Sequence, residues 1–378
     1  MRHYLLMLFA AGATLIHAQQ FDPSLMKSLR FRYIGPDGNR AIAVAGVPGD
    51  PNVAYIGAAS GGLWKTEDMG FNWKPVFDGT DDSSIGALAL APADPDQVWV
   101  GTGETFLIRP AHAVGNGVYK SSNAGKTWKH MGLKSTFRIS KVIVHPTDTN
   151  TVYVASLGHA HGPQQERGVY KTTDGGKTWE RVFFLNENTG CSDLSIDPKN
   201  PDILYAAMWQ VEIKTWKLNS GGASSGIYRT RDGGKTWTPL RNGLESGTDH
   251  PVGKTSVDVA YSNPNVVYAL IEDKEPRLYR SEDGGDSWKL MQQDHSMGQR
   301  AGYYTRVRVA TDDENRLYTI CVGIKMSKDG GKTFSNELNQ WAPGGDNHDM
   351  WFDPKDSRRI MCAHDGCVNM SFNYGKTW

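Results

Sequence analysis

One eight-residue pattern recurs seven times along this chain of 378 residues. It begins with Ser or Thr, has Asp or Asn two residues later, then Gly two residues on, and an aromatic residue three further on. The Asp or Asn positions step by 44 to 58 residues and are Asp68, Asn123, Asp174, Asp232, Asp283, Asp329 and Asn373. Because each repeat is one unit that buries its apolar face against its neighbours, such a period predicts a propeller or a related β array.

Each part of the pattern has a structural role in the predicted turn. The Asp or Asn side chain can accept hydrogen bonds from nearby backbone N–H groups, and the Gly can adopt positive φ without a Cβ penalty. Alternating segments such as Gly168–Thr172 precede the pattern, and Trp-led segments such as Trp179–Phe183 follow it. The seven patterns are therefore interpreted as structural turns at the tips of β-hairpins.

Two further strand-like segments lie upstream of each pattern and are joined by Pro- and Asp-rich turns such as Pro92-Ala-Asp-Pro95. A four-stranded sheet cannot bury both of its faces alone, so radial stacking of such sheets is the natural solution. We predict an all-β fold, a β-propeller of about seven four-stranded antiparallel blades over residues 31–378, with residues 19–30 as a lead-in.

The N-terminal residues have the features of a targeting segment. A short basic start with Arg2 precedes an apolar run, Leu5–Ile16, which ends just before His17-Ala18. This order is typical of a secretory signal peptide, and the run is too short to span a bilayer. We therefore predict a signal peptide over residues 1–18 and a secreted or periplasmic protein that is not membrane-spanning.

The charge balance disfavours a polyanionic partner. Lys and Arg together number 41, Asp and Glu together number 41, and the formal net charge is zero. Such a chain lacks the extended positive field that DNA or RNA requires. We therefore expect no nucleic-acid partner.

Sequence signatures for cofactors and metals are weak. Gly101-Thr-Gly103 lacks the third glycine and the following helix of a dinucleotide loop. Cys362 and Cys367 flank His364, but the segment reads as a hairpin with Asp365-Gly366 as its turn, and a fourth metal ligand is not apparent. We predict no cofactor and no metal, and leave open whether these cysteines form a disulfide.

The repeat resembles the Asp box, or BNR repeat, of sialidases, sortilin-type receptor ectodomains and xyloglucan-degrading glycosidases. More closely, Ile56–Thr66, Val100–Glu104 and Gly168–Trp179 resemble large exported bacterial proteins classed as sortilin-like or glycosyl-hydrolase-like. The resemblance covers residues 31–378 and implies the propeller fold. It does not imply an activity, because the boxes hold turns in hydrolases and in non-enzymes alike.

The seventh repeat stops at Trp378, the first residue of its expected outer strand. Two explanations stay open. In the first, segment 28–36, which contains Phe31-Arg-Tyr-Ile34, supplies that strand and closes the ring. In the second, which we favour, the chain is the front part of a longer protein, since relatives of this type continue into a second propeller.

The candidate ligand-binding residues lie in connections predicted to share the face opposite the Asp boxes. Three consecutive connections between second and third strands are enlarged, at 103–116, 157–168 and 208–225. Adjacent long loops on one face form a wall suited to a polar ligand. These loops and the connections between blades supply the predicted ligand-binding set: Glu104, Arg109, His159, His161, Trp209, Trp216, Tyr303, His348 and Asp349.

Hydrolysis and binding are the two functions considered for this face. A glycosidase needs two carboxyl groups flanking the scissile bond. The resemblance to xyloglucan-degrading enzymes implies a catalytic Asp just before a Gly-Gly pair on the first blade, but here Ser60 precedes Gly61-Gly62. We therefore favour an exported sortilin-like propeller without catalytic residues that binds an extracellular or periplasmic peptide, protein or carbohydrate. The alternative is one part of a two-propeller glycoside hydrolase of the xyloglucanase type.

Overall fold

The computed structural model describes Asp22 and residues 40–105, 114–335 and 344–378. The predicted signal peptide, the lead-in apart from Asp22, segment 28–36 and Arg109 lie outside the described residues. Within the described part, the chain forms 27 β-strands and two short 3-10 turns, at Lys134–Thr136 and His295–Met297. The fold is therefore all-β, as the repeat spacing predicts.

The strands form seven antiparallel sheets, the blades, which follow one another along the chain. Blades 1 to 3 comprise β1 (Ala41–Gly46), β2 (Ala54–Ala58), β3 (Leu63–Thr66) and β4 (Lys74–Pro75); β5 (Ile85–Ala91), β6 (Asp94–Thr102), β7 (Val118–Ser121) and β8 (Lys129–His130); and β9 (Arg138–Val144), β10 (Val152–Gly158), β11 (Gly168–Thr172) and β12 (Glu180–Phe183). Blades 4 and 5 comprise β13 (Thr189–Ile196), β14 (Leu204–Lys214), β15 (Lys217–Ser220), β16 (Gly226–Thr230) and β17 (Thr238–Pro239); and β18 (Thr255–Val259), β19 (Val267–Ile271), β20 (Arg277–Ser281) and β21 (Lys289–Gln293). Blades 6 and 7 comprise β22 (Arg306–Val309), β23 (Leu317–Ile320) and β24 (Ile324–Ser327); and β25 (Asn347–Phe352), β26 (Ile360–His364) and β27 (Cys367–Ser371).

Three blades depart from the four-stranded plan within the described residues. In blade 4, β14 extends beyond the sheet and pairs with β15, so that a hairpin projects from the blade. In blade 6 the fourth strand is reduced to a bridge between Met326 and Ser335. In blade 7 the described strands end at Ser371, and β27 is partly exposed along most of its length.

The core lies between neighbouring blades rather than inside any one of them. The second strands β2, β10 and β19 are buried along their whole length because each blade is covered on both faces. At the seam between the first and last blades, Val44 and Ile56 pack in one apolar cluster with Met361 and Ala363. The ring is therefore closed by side-chain packing between blades 1 and 7.

The seven repeated patterns form hairpin turns held by side-chain hydrogen bonds. In blade 3, Oδ1 of Asp174 accepts from the N–H groups of Lys177 (2.9 Å) and Thr178 (3.0 Å), and Oδ2 accepts from the Thr178 hydroxyl (2.6 Å). The Thr172 hydroxyl donates to Oδ1 at 2.8 Å and accepts from the N–H of Gly176 at 3.0 Å. The Asp is thus the centre of a closed turn.

A second contact ties each of these turns to the rest of its blade. In all seven repeats, each of them described, the N–H after the Asp or Asn donates to a carbonyl at 2.8 to 3.2 Å. That carbonyl lies between the first and second strands, or, in blade 2, at Asp96 near the start of the second strand. The pattern turns and the turns between first and second strands therefore share one face, which we call the box face. The other connections lie on the opposite face, which we call the loop face. In the described part of the chain, no helix is long and apolar enough to cross a membrane.

Candidate functional site

Five side chains meet at the loop face, where the innermost strands begin. Arg40 directly precedes β1, Glu104 follows β6, and Tyr303 lies in the connection between blades 5 and 6. Nη1 of Arg40 lies 3.1 Å from Oε1 of Glu104. Oδ1 of Asp365, in the turn after β26, accepts from the Tyr303 hydroxyl at 2.7 Å and lies 2.8 Å from Nε2 of His348. We call these five residues the channel-mouth cluster.

The charge states within this cluster follow from burial and hydrogen bonding. Burial acts to raise the pKa of Asp365, but hydrogen bonds from His348 and Tyr303 outweigh it and leave the pKa below its usual value. Burial and the hydrogen bond to Asp365 raise the pKa of Tyr303 to about 12. Burial lowers the pKa of His348. Near neutral pH the cluster therefore holds an ionised Asp365 beside a protonated phenol and a neutral imidazole.

The two carboxylates of the cluster differ in accessibility. The Glu104 side chain is completely buried, and its backbone carbonyl accepts from Nε of Arg138 at 2.7 Å. The Asp365 side chain is 34% exposed. Asp365 is therefore the carboxylate of this cluster that a ligand on the loop face can reach.

Aromatic rings pack around the cluster. Tyr304 stacks on His348 with centroids 5.8 Å apart, and Tyr303 meets the same imidazole edge-on at 5.0 Å. Ala59 packs in one apolar cluster with both tyrosines. Ser60, the next residue, is exposed on the loop face. The serine therefore lies next to a residue that contacts the channel-mouth cluster.

The innermost strands also surround a central channel. A cavity of about 370 Å³ is lined mainly by their apolar side chains and by prolines from the box-face turns: Pro48, Pro92, Pro146, Pro198 and Pro354. Because these prolines lie at the box face, the cavity extends toward that face.

A buried ion-pair network crosses this channel. Arg308 contacts Asp193 at 2.9 and 3.3 Å and Asp349 at 3.2 Å, while Arg306 reaches Asp349 at 3.4 Å. Burial acts to raise the pKa of Asp349, but Lys141 and the two arginines lower it. Asp349, predicted to bind a ligand, is therefore a channel residue already engaged by two arginines.

The enlarged loop of blade 4 folds into the β14–β15 hairpin. Trp209 at its base is completely buried and donates from Nε1 to the Ser220 hydroxyl at 2.9 Å. Trp216 lies at its tip and is 82% exposed. Nδ1 of His161, from the neighbouring loop, lies 3.2 Å from the Ile213 carbonyl. The hairpin thus presents one exposed indole above a rigid base.

The structure brings only part of the predicted ligand-binding set together. Tyr303 and His348 share Asp365. His159 is partly buried, its ring meets Phe137 edge-on at 5.6 Å, and burial and Arg167 lower its pKa. Glu104 and Trp209 are buried, so they can affect a ligand only through their neighbours. A ligand role for the set as a whole stays a prediction.

Sequence reasoning missed two residues of the channel-mouth cluster. Arg40 precedes the first strand and belongs to no motif. Asp365 was assigned only to the hairpin turn Asp365-Gly366. The signal that could have found Asp365 is positional, because its turn joins a second and a third strand and such turns lie on the loop face.

The described residues hold no group of three or more His, Cys, Asp or Glu side chains that could bind a metal ion. Cys191, Cys321 and Cys362 are free thiols. In the β26–β27 hairpin, Cys367 lies opposite His364, and Cys362 lies opposite Asn369. The two hairpin cysteines are therefore not cross-strand partners.

Comparison with known families agrees with this geometry. Residues 116–250 match the model of the family described as Sortilin, neurotensin receptor 3. The seven sheets and their box turns form a β-propeller, and the matched segment lies within it. The matched segment contains the boxes of Asn123, Asp174 and Asp232.

The individual relatives are named as xyloglucanases. The propeller is 26% identical to a xyloglucanase of a Paenibacillus species, in an alignment that covers 97% of this chain and 35% of the relative. Other xyloglucanases, including one from Hypocrea jecorina at 25% identity over 51% of this chain, match shorter parts. The chain spans about a quarter to a third of the length of these curated relatives.

Solved structures of the same fold include a xyloglucanase and a protein bound to a peptide. The GH74 xyloglucanase of Xanthomonas campestris has a TM-score of 0.51 at 15% identity, covering 92% of this chain and 68% of that one. YCF48 bound to D1 peptide has a TM-score of 0.58 at 12% identity, covering 91% and 97% of the two chains. At these identities the likeness concerns the fold alone.

Proposed function

We propose that this propeller is one half of a xyloglucanase-type glycoside hydrolase and binds polysaccharide on its loop face. The observation that carries the proposal is the 26% identity to a xyloglucanase across 97% of the chain. Because the chain spans 35% of that relative, the other half of the substrate cleft is proposed to come from a second propeller. This proposal replaces the binding-only function that sequence reasoning favoured.

The channel-mouth cluster gives the proposal a chemical centre. A glycoside hydrolase uses one carboxyl group as acid and one carboxylate as base or nucleophile. Ser60 cannot supply that carboxylate, whereas Asp365 is ionised, 34% exposed and on the same face. We assign Asp365 the base or nucleophile role and leave the acid to the proposed second propeller.

The neighbours of Asp365 keep its charge and its orientation. Tyr303 and His348 both contact Oδ1 of Asp365, and we propose that Oδ2 is the oxygen that acts on substrate or water. Tyr303 is itself held by an edge-to-face contact with Tyr304, with ring centroids 4.5 Å apart. A base held by two hydrogen bonds loses little conformational entropy on reaction, so its position is set before the substrate arrives.

Trp216 offers the second element of polysaccharide binding. Its indole is 82% exposed at the end of a hairpin whose base is packed around Trp209. A flat aromatic ring in this setting can cover the C–H face of a sugar ring while the sugar hydroxyls stay hydrated.

One observation favours a second candidate function, binding without turnover. Ser60 stands where the resemblance implies a catalytic Asp, and Oδ1 of Asp365 is already occupied by two protein groups. In this case the loop face would hold a peptide, protein or glycan and leave it intact. Under either function we propose export through the signal peptide at residues 1–18, which an N-terminal sequence of the mature protein beginning at Gln19 would support.

Incubation of the full-length protein with xyloglucan separates the two candidates. We expect release of reducing ends, and a loss on the order of a hundredfold or more in Asp365→Asn, the range for a general acid–base group. Asp356→Asn, an exposed carboxylate paired with Arg358 at the box face, is the matched control and keeps full activity. Saturable binding without turnover would support the second candidate, and the absence of both would reject the proposal.

A further inference from the structure

A second concave site lies on the loop face beside the β14–β15 hairpin. It is a cavity of about 470 Å³ bounded by the hairpin strand β15, by the loop 272–276 of blade 5 and by the connection 295–302 between blades 5 and 6. We call it the hairpin pocket. All the residues that line this pocket belong to the described part of the chain.

The floor and the walls of the hairpin pocket differ in polarity. The floor consists of the buried Pro276, Gly298, Ala301 and Gly302. A Cβ at Gly298 would lie 2.7 Å from the Pro276 ring, so only glycine allows this close approach. Charged and polar side chains stand above this floor: Ser220, Glu272, Asp273, Lys274, His295 and Arg300. An apolar floor with a polar rim suits a ligand that has both C–H faces and hydroxyl groups.

Glu272 is held rigidly at one wall. Its Oε2 accepts from the backbone N–H of Lys254 at 2.6 Å and from the Ser220 hydroxyl at 2.5 Å. A Cβ at Gly253 would lie 2.0 Å from this oxygen, so the backbone there is shaped to admit the carboxylate. No described residue hydrogen-bonds to Oε1. Glu272 thus presents one oriented acceptor that is open to a ligand.

Donors stand on the opposite wall. His295 is exposed, and no described residue hydrogen-bonds to its ring. Arg300 is 52% exposed and lies over the rings of Tyr303 (5.2 Å) and Tyr304 (5.5 Å). Through these rings the hairpin pocket adjoins the channel-mouth cluster. A chain molecule bound at Asp365 can therefore continue into the pocket.

The two carboxylates of the pocket differ in how their charges are balanced. Asp273 is paired with His250 at 2.6 Å and with Arg277 at 3.0 Å, so its charge is largely balanced. The charge of Glu272 is met by a backbone N–H and a hydroxyl, without a cationic side chain in direct contact in the described residues. A carboxylate on the ligand would meet this charge at close range, whereas a neutral hydroxyl would donate to it.

We propose that the hairpin pocket is a subsite for a neutral hexopyranose unit of the polysaccharide, with Glu272 accepting from sugar hydroxyls and His295 and Arg300 donating to them. This inference rests on the proposed function and adds to it a location and a selectivity. It assigns no chemical step to the pocket, which only binds and orients.

The test measures the affinity of the protein for soluble xyloglucan oligosaccharides by calorimetry. We expect His295→Ala and Glu272→Gln each to weaken binding about tenfold, which corresponds to roughly 1.4 kcal/mol. Lys289→Ala, whose exposed side chain lines a depression at the box face, is the matched control and should bind as the wild type does. Galacturonate oligomers of matched length should bind at least tenfold more weakly than the neutral probe.

The outcomes separate the subsite from the function. If the wild type binds xyloglucan oligosaccharides and His295→Ala and Glu272→Gln bind equally well, the subsite is wrong and the proposed function stands. If galacturonate oligomers bind as tightly as the neutral probe, the selectivity is wrong. If the wild type binds neither probe, the proposed function fails and the subsite with it. His295 is exposed, so its variant keeps the test decisive even if Glu272→Gln unfolds.

Discussion

Arg359 of the seventh blade donates to the backbone carbonyl of Val53 in the first blade at 3.0 Å. The same guanidinium reaches the carbonyls of Val47 (3.1 Å) and Asp50 (2.5 Å) and lies 3.3 Å from Oδ2 of Asp353. The side chains of Arg359 and Asp353 are each 2% exposed. A buried guanidinium therefore fastens the last blade to the first.

Arg359→Ala should lower the free energy of unfolding by about 3–5 kcal/mol, because it leaves the buried charge of Asp353 and several buried carbonyls without their partner. Arg359→Lys should recover only part of the loss, since an ammonium lacks the planar fork that serves several acceptors. Urea unfolding measures both.

The neighbouring Arg358 is the matched control. Its side chain is 60% exposed and pairs with Asp356 at 2.8 Å. Surface pairs of this kind contribute about 0–1 kcal/mol. An equal loss of unfolding free energy in Arg358→Ala and Arg359→Ala would show that the buried contact contributes no more to stability than a surface pair.

The backbone conformation of the residue after the Asp or Asn of each box predicts a stabilising substitution. Ala124 has a φ of 55°, and the same position is glycine in four other boxes, for example Gly284 at 66°. A non-glycine residue in the left-handed region costs about 1–2 kcal/mol, partly offset by the greater unfolded-state entropy of glycine. Ala124→Gly should therefore stabilise the protein by about 0.5–1 kcal/mol in thermal or urea unfolding.

The reverse change supplies the control. Gly284→Ala should destabilise the protein by about 1 kcal/mol through backbone strain. A Cβ there would lie 3.5 Å from the Tyr205 hydroxyl, an ordinary contact, so steric overlap does not confuse the result. Equal stability of Ala124→Gly and the wild type would contradict the strain argument.

The box carboxylates predict a loss of stability in acid. Hydrogen bonds from the Ser287 hydroxyl and N–H lower the pKa of Asp283 to about 2, from an ordinary value of 3.8. The unfolded chain therefore binds a proton more readily than the folded one. The contribution of this group is complete above pH 3.8 and is lost as the pH falls toward about 2.

Asp283→Asn should flatten the dependence of stability on pH in that window, because an amide does not titrate. Its oxygen can accept from the backbone N–H, and its NH2 group can donate to the hydroxyl, as Asn123 does with Thr127. Asn123→Asp should steepen it, since the natural Asn123 box would then titrate as well. Urea unfolding at several acidic pH values measures both slopes. Identical slopes in the wild type and Asp283→Asn would count against the assignment.

Trp216→Ala should weaken binding of xyloglucan oligosaccharides about tenfold or more, since truncating an exposed aromatic anchor commonly costs over 1 kcal/mol. The thermal midpoint should not change, because the indole is 82% exposed. Phe71→Ala removes a ring that is 85% exposed on the box face, and should leave affinity unaltered. A loss of affinity in both variants would indicate non-specific contact with apolar surface.

The fold followed from the sequence because the structure-forming information is local and repeated. Each box carries its own turn, as Asp174, Thr172 and Gly176 do in blade 3. Seven copies at a near-constant spacing then predict a propeller, because in that arrangement each blade buries its faces against its neighbours. The left-handed conformation of the residue before the box glycine could not be predicted. Met69, Ala124 and Tyr374 all adopt it, and none of these residue types favours positive φ.

The candidate site could not be predicted to the same extent. The connections that hold Trp216 and Tyr303, and the start of the strand that holds His348, could be assigned to one face by strand alternation. The burial of Trp209 and Glu104 could not be predicted, because it depends on the packing of the neighbouring blades. Asp349 lies one residue after His348, yet it belongs to the channel, because successive residues of a strand point in opposite directions.

The amino-acid sequence alone determined the repeat, its turns and the two faces of the ring, since these depend on hydrogen bonds between residues at most a few positions apart. The tertiary structure alone decided that Arg40, Tyr303 and Asp365 surround one opening and that Arg359 closes the ring onto Val53. Arg40 is far from Tyr303 and Asp365 along the chain, and Val53 is far from Arg359. Only the successive rotation of the seven blades brings these residues together.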